Sequence, residues 1–443
     1  MKHYITVFFS LFVCTILFLS GCQNHKNGSS VFVSSTNESY DSHITSSASS
    51  GLSDISSAST DTPDETSSSF SSTVSVAPHE SSEDVPQHHH EKTSDLLSNK
   101  YFVSKLSSNA FEHFALLYHA AVSCEKQVSF SDPIPEEELD LLMWLLNYDC
   151  PELIHLTGDY YPEYSPSEAE KNTISGLSFQ YCMDRKSYQK CTKELDEYLD
   201  DLKRTTQGMN DYQKELYIYQ TIFKDLVFDD YAPHAGSIYG ALIDHSARCE
   251  GISKAFAWCM QGCGMECLTI VGTPLWENSS AYSSHSWNIA LVDGNYYHVD
   301  LAADNLPSLR DEKTSPLFGF FNSDDEQVSR THLIHSIFNE LGVLACSSKL
   351  LNYHIYNHLY IDSQTDIQQQ FFGILKEHYQ KNSETTLSIR MENEAAYHRF
   401  IENCSDWFSR FLTEYDLPEC YDELVFNDVS LTCILTIRPA DSL

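Results

Sequence analysis

The chain has 443 residues, with 27 Lys and Arg against 63 Asp and Glu, a formal net charge of −36. Such a surface repels polyanions, which excludes a simple nucleic-acid binder. Apolar residues make up 42% of the whole, and 14 irregularly spaced cysteines are too few for a disulfide scaffold, so an acidic globular body is expected.

At the front, Lys2 and His3 precede an apolar run over 5–19, too short for a comfortable membrane span but right for a signal-peptide core. The run ends in Leu19-Ser20-Gly21-Cys22, which resembles a bacterial lipobox. That resemblance implies a signal peptide over 1–21 and a diacylglycerol on Cys22. The protein would then sit lipid-anchored on the extracellular face of the bacterial cytoplasmic membrane, with no transmembrane helix. From Ser29 to Asp84 roughly half the residues are Ser or Thr, too polar to bury enough surface to offset chain entropy. Residues 22–99 are therefore read as a disordered tether. Its r.m.s. span of about 50 Å carries the folded part into the cell-wall zone. His88-His89-His90 lies within it without surrounding Cys or carboxylate ligands and reads as a solvated patch; no metal site and no cofactor is expected.

Three folded segments follow: a helical region over 100–210, a core over 211–345 and a C-terminal α/β region over 346–443. Pro135, then Glu136, Glu137 and Glu138, then Leu139, Leu141, Leu142, Leu145 and Leu146 predict a helix that stops before Cys150-Pro151. Helical patterns recur over 186–203 and 212–226. Strand-like runs cover 267–271, 286–292 and 296–301. The tail predicts a strand over 385–391, a helix over 394–415 and a strand over 429–437, a small β-α-β unit. This order favours an α+β body over a doubly wound sheet.

The chemistry concentrates in two stretches. Cys249 directly precedes a helix whose apolar face runs through Ile252, Ala255, Phe256 and Cys259. A thiol there feels the positive end of the helix dipole and the free N–H groups, which favour thiolate and can receive an oxyanion. Gly251 is expected to let a substrate backbone come close. In the second stretch, Asp293-Gly294 between two alternating apolar runs signals a hairpin. A two-residue loop pairs Val292 with Asn295, which sets His285 opposite Ala302 and Trp287 opposite Asp300. His285 and Asp300 are then diagonal neighbours on one face, about 7–8 Å apart at Cα and within reach of an imidazole–carboxylate bond. His298 shares that face and is a rival base, but lies farther from the open end of the hairpin. Cys259, Cys263 and Cys267 are spaced by four, yet Gly262 and Gly264 break the helix, so they read as core thiols.

Cys249-Glu250-Gly251 with Ala255-Phe256, then His285-Ser286-Trp287-Asn288, then Tyr297-His298-Val299-Asp300 resembles the bacterial transglutaminase-like superfamily. The resemblance takes in Asp211 to Leu216, Tyr239-Gly240-Ala241-Leu242, Phe320-Phe321-Asn322 and Asp324-Asp325-Glu326. It implies a papain-like core, with the nucleophile at a helix N-terminus packed on an antiparallel sheet. In it, Cys249 would be the nucleophile, His285 the general base and acid, and Asp300 the orienter. Tyr239 and Trp287 are candidates for positioning substrate. Ile252 stands where the family usually has Tyr, and Ala302-Ala303 where Thr-Trp often follows the aspartate.

The expectation is a surface lipoprotein with a Cys-His-Asp acyl-transfer site acting on amide bonds, by transfer or by hydrolysis. Its partners would be a protein or peptide substrate, cell-wall peptide included, and the membrane through its lipid. The alternative is a non-catalytic adhesin or wall-binding lipoprotein on the same fold.

Overall fold

The structure, a computed structural model, describes residues 97, 100–165, 173–276, 284–305, 316–380, 383–417 and 420–439, all in one compact unit. The apolar leader, Cys22, the Ser/Thr-rich stretch and His88 to His90 lie outside the described residues. Leu97, assigned to the tether from sequence, is fully buried, and Lys100 donates its N–H to the Leu97 carbonyl at 3.1 Å. The folded body therefore takes in Leu97 rather than starting at residue 100. No described helix is long and apolar enough to cross a membrane.

The region over 100–210 corrects the helical expectation. Helix α1 (Ser108–Val122) is capped by the Ser107 hydroxyl, which accepts the Ala110 N–H. Strand β1 (Gln127–Pro135) runs into α2 (Glu136–Tyr148), and β2 (Leu156–Tyr164) and β3 (Thr173–Tyr181) follow. These strands form an antiparallel sheet in the order β1-β3-β2. Strand β1 alternates only over its first half, with Val128 and Phe130 buried before Asp132 and Pro133 interrupt it, and β2 carries Gly158, Asp159 and Pro162 with most positions exposed. Proline is tolerated at such edges, and polar edges discourage further pairing.

Helices α3 (Arg185–Thr206) and α4 (Asp211–Asp225) come next, the second opened by a capping box between Asn210 and Gln213. A short parallel pair, β4 (Val227–Phe228) with β5 (Ser246–Ala247), brackets α5 (Ile238–Leu242). Then come α6 (Cys249–Gly262), β6 (Cys267–Pro274), β7 (His285–Val292) and β8 (Asn295–Val299). They are followed by the single turns α7 (Leu301–Asp304) and α8 (Asp325–Val328), strand β9 (His332–Ile334) and α9 (Ile337–Leu341).

The central antiparallel sheet has the order β8-β7-β6-β9. Leu268, Ile270, Trp287 and Ile289 share a core with Phe102, Phe114, Leu142 and Leu177 of the N-terminal region. Cys267, Ala290, Val292 and Tyr297 share another with Tyr219 of α4 and Phe256 of α6. Being covered on both sides, β6 and β7 read as nearly continuous apolar runs. The hairpin register follows the expected pairing from Asn288 with Val299 to Val292 with Asn295. Asp293 and Gly294 both have positive φ (47° and 79°), the requirement of a two-residue turn matched to strand twist. The expected strand over 296–301 ends early at Val299, because the Asp300 carboxylate accepts the Ala303 N–H and starts α7.

The C-terminal region is larger than the expected β-α-β unit. It comprises α10 (Tyr353–Tyr356), β10 (Tyr360–Ile361), α11 (Ile367–His378), β11 (Thr385–Met391), α12 (Glu394–Glu414), β12 (Cys420–Asn427) and β13 (Thr432–Pro439). The sheet order is β10-β11-β13-β12. Buried Arg390 donates to the Gly319 carbonyl and fastens this region to the loop after α7.

Candidate active site

Cys249 is the first residue of α6, after Arg248 in extended backbone that supplies no side-chain cap. The first-turn N–H groups therefore receive no capping oxygen from that residue. Gly251 has a different task from the one expected. A Cβ on it would stand 2.3 Å from the Ala235 carbonyl oxygen and 2.9 Å from that of Ser237. The glycine admits the 235–237 backbone, not a substrate.

The half-buried thiol lies within electrostatic reach of the His285 ring and of Ser286. His285 Nε2–H donates to Asp300 Oδ2 at 2.6 Å, which leaves Nδ1 for the sulfur. Both His285 and Asp300 are buried. Burial pushes the Cys249 thiol up, but the hydrogen bond and charge of His285, with Ser286, outweigh it and leave the thiol below its ordinary value. Burial likewise disfavours imidazolium, yet the Asp300 charge and hydrogen bond, with Cys249, raise His285 to about 10. Burial would raise Asp300, and the two histidines facing it hold it below the usual carboxylate range. Both shifts run toward thiolate and imidazolium, and the remaining buried thiols go the other way: burial raises Cys259, Cys267 and Cys433. The twelve described cysteines are all free.

Of the other sequence candidates, Trp287 is only 1% exposed, so it is placed beneath the site rather than along a substrate path. Its indole stacks on His285 at 6.0 Å between ring centres and donates Nε1–H to His298 Nδ1 at 3.2 Å. That bond makes Nδ1 of His298 the acceptor, so its Nε2–H donates to Asp325 Oδ1 at 2.9 Å. His298 thus braces Trp287 and is not the partner of the thiol. Tyr239 is committed elsewhere: its hydroxyl donates to Glu194 Oε2 on α3 at 2.6 Å.

Two groups of side chains have metal-ligating types close together, His285 with Asp300 and His332, and His298 with Asp325 and Cys346. In both, the imidazole Nε2 protons are donated to the carboxylates.

Sequence reasoning missed three contributors. Ser286, between two candidates on the strand, helps hold the Cys249 thiol below its ordinary value. His332, on the three-residue β9, donates Nε2–H to Asp300 Oδ2 at 3.0 Å. No spacing in the chain marks a single histidine on so short a strand. The third is an ionic cluster at the next residue, built on buried Lys254: its Nζ donates to Glu250 Oε1 and Asn147 Oδ1, each at 2.7 Å, and Arg248 pairs with the same carboxylate. Burial would raise Glu250, but Lys254 and Arg248 bring it down to about 2.

Residues 200–301 match the model of the transglutaminase-like superfamily, a segment that includes Cys249, His285 and Asp300. The core of this chain is transglutaminase-like, an α+β arrangement with a helix N-terminus set against an antiparallel sheet. Among solved structures, a candidate cysteine protease from Cytophaga hutchinsonii is 13% identical over 29% of this chain and 51% of its own, with a TM-score of 0.21. A protein described as a TGase is 13% identical over 43% of this chain and 53% of its own, with a TM-score of 0.22. A candidate protease from Parabacteroides distasonis is 10% identical over 62% of this chain and 56% of its own, with a TM-score of 0.21. The chain spans about half the length of each of these structures. No curated protein matches the chain.

Proposed function

We propose that this protein is a cysteine-dependent acyl-transfer enzyme acting on amide bonds of proteins or peptides. One observation carries the reading: the Cys249 thiol at the start of α6 is lowered by the His285 imidazole, whose Nε2–H is held by the buried Asp300 carboxylate at 2.6 Å. In this reading the thiolate attacks the amide carbonyl carbon, forming a C–S bond as the π electrons move to oxygen. The N–H groups at the start of α6 stabilise that oxyanion. His285 gives its proton to the leaving nitrogen as the C–N bond breaks, producing a thioester. Water or an amine then attacks the thioester, passes a proton to His285 and releases the thiolate. Hydrolysis and transfer share every step but the last, and the resolving nucleophile decides between them.

We further propose that the enzyme is displayed outside the cell on a lipid attached to Cys22, with cell-wall peptides among its substrates. The lipobox-like Leu19-Ser20-Gly21-Cys22 and the polar stretch after it support this. The test of activity is capture of a thioester. Surface extract incubated with the protein at mildly acidic pH should leave an acyl mass on the Cys249 peptide that hydroxylamine removes. A Cys249 peptide that gains no hydroxylamine-labile mass from any peptide or protein mixture would defeat the proposal.

A further inference from the structure

We propose that His332 is a positioning residue of the thiol site, holding the Asp300 carboxylate in the orientation that aims His285 at the sulfur. The inference rests on the thiol-site reading above and extends it to a residue beyond the 200–301 segment that matches the superfamily.

Asp300 receives three donors: His285 Nε2–H on Oδ2 at 2.6 Å, His332 Nε2–H on the same oxygen at 3.0 Å, and the Ala303 N–H on Oδ1 at 2.9 Å. A carboxylate on a single-bonded stem rotates easily about its last torsion, whose energy wells are broad. With only His285 and Ala303 it could trade oxygens or tilt, and the His285 ring would follow. The third donor enters from a different element, β9, and closes that freedom.

His332 is itself immobilised. The hydroxyl of Thr331 contacts its Nδ1 at 2.8 Å, so the ring accepts there and donates from Nε2. Aromatic rings enclose it: Trp276 at 5.1 Å, Trp287 at 4.8 Å and Phe320 at 5.1 Å between centres. The ionisable groups facing it are Asp300 before α7, His285 on β7 and His298 on β8. Burial, with the charges of the two histidines, keeps it below the ordinary histidine value despite Asp300. A neutral ring suits the task, since it donates a hydrogen bond without competing with His285 for the carboxylate's charge. Second-layer donors of this kind fix tautomer and orientation in other buried imidazole–carboxylate systems.

The experiment compares His332→Phe, His332→Gln and His332→Asn in the otherwise intact chain. Alkylation of Cys249 by iodoacetamide is followed peptide by peptide across pH, with near-ultraviolet circular dichroism checking the fold. Gln carries an N–H donor at about the reach of Nε2, and Asn is one carbon shorter. Phe and Asn should slow alkylation about tenfold near pH 6 and move the acid limb of the profile up by about one pH unit, as thiolate loses its imidazolium partner. Gln should restore both to within about threefold. A purely structural role would lower stability but leave the limb of the folded protein where it was. If Phe fails to fold, Gln against Asn decides. An unshifted limb in Phe, or equal behaviour of Gln and Asn, overturns the role of His332. A wild-type Cys249 no more reactive than the other thiols would instead overturn the thiol-site reading itself.

Discussion

Asn147 on α2 donates its amide N–H to Glu250 Oε1 at 2.9 Å, tying the N-terminal region to the residue next to Cys249. The same oxygen takes Lys254 Nζ, which sits 5.2 Å above the Tyr148 ring and also reaches the Gly236 carbonyl. The N-terminal region is therefore part of what sets the start of α6. Lys254→Met should destabilise the protein by about 2 kcal/mol, because it leaves the half-buried Glu250 with Arg248 as its cationic partner among the described residues. Chemical denaturation with the folding transition followed by tryptophan fluorescence measures this. A loss under about 1 kcal/mol would mean the cluster is better solvated than its burial implies.

Glu215 makes a prediction that depends on pH. Its side chain is fully buried on α4, takes one hydrogen bond from Asn322 at 2.7 Å, and has no partner at Oε1. Burial raises its carboxyl to about 8, against the Asn322 bond that lowers it. A folded value above the unfolded one means the native state binds the extra proton. Its stabilising contribution is present at pH below about 4 and is lost as pH rises toward 8. Glu215→Gln should thus raise Tm near pH 8, flatten the loss of stability between about pH 5 and 8, and change little near pH 5. Thermal melts at several pH values test this, and an equal effect at all of them would contradict it.

How far these features were legible depended on whether the pattern was local. The Asp293-Gly294 turn sets a register over adjacent residues, and His285 and Asp300 could be paired from it. The starts of α2, α6, β11 and α12 carry caps or apolar spacing within a few residues of themselves. The sheet β1-β3-β2 was not legible, because β1 alternates only through Val128 and Phe130 before Asp132 and Pro133 break the pattern, and β2 is mostly polar and exposed. His332 and Asn147 were invisible for a related reason: each reaches the site from a remote element, 32 residues from Asp300 and 103 from Glu250. Trp287 was misread because strand alternation cannot tell a ring that floors a site from one that lines it.

The lipid anchor makes a separate prediction. Cells expressing the full chain and fed an alkyne-bearing fatty acid should label the protein, and Cys22→Ser should abolish the label and release the protein from membranes. Label that survives the substitution would move the attachment away from Cys22 and remove the basis for display on a tether.

The most direct measurement is the rate at which each cysteine reacts with iodoacetamide near neutral pH, resolved by peptide mass spectrometry. Cys249 should outpace the exposed Cys182 by about a hundredfold, His285→Ala should remove most of that advantage, and His298→Gln should keep it within about threefold. A Cys249 that reacts no faster than Cys182, or that is indifferent to His285, would contradict the account.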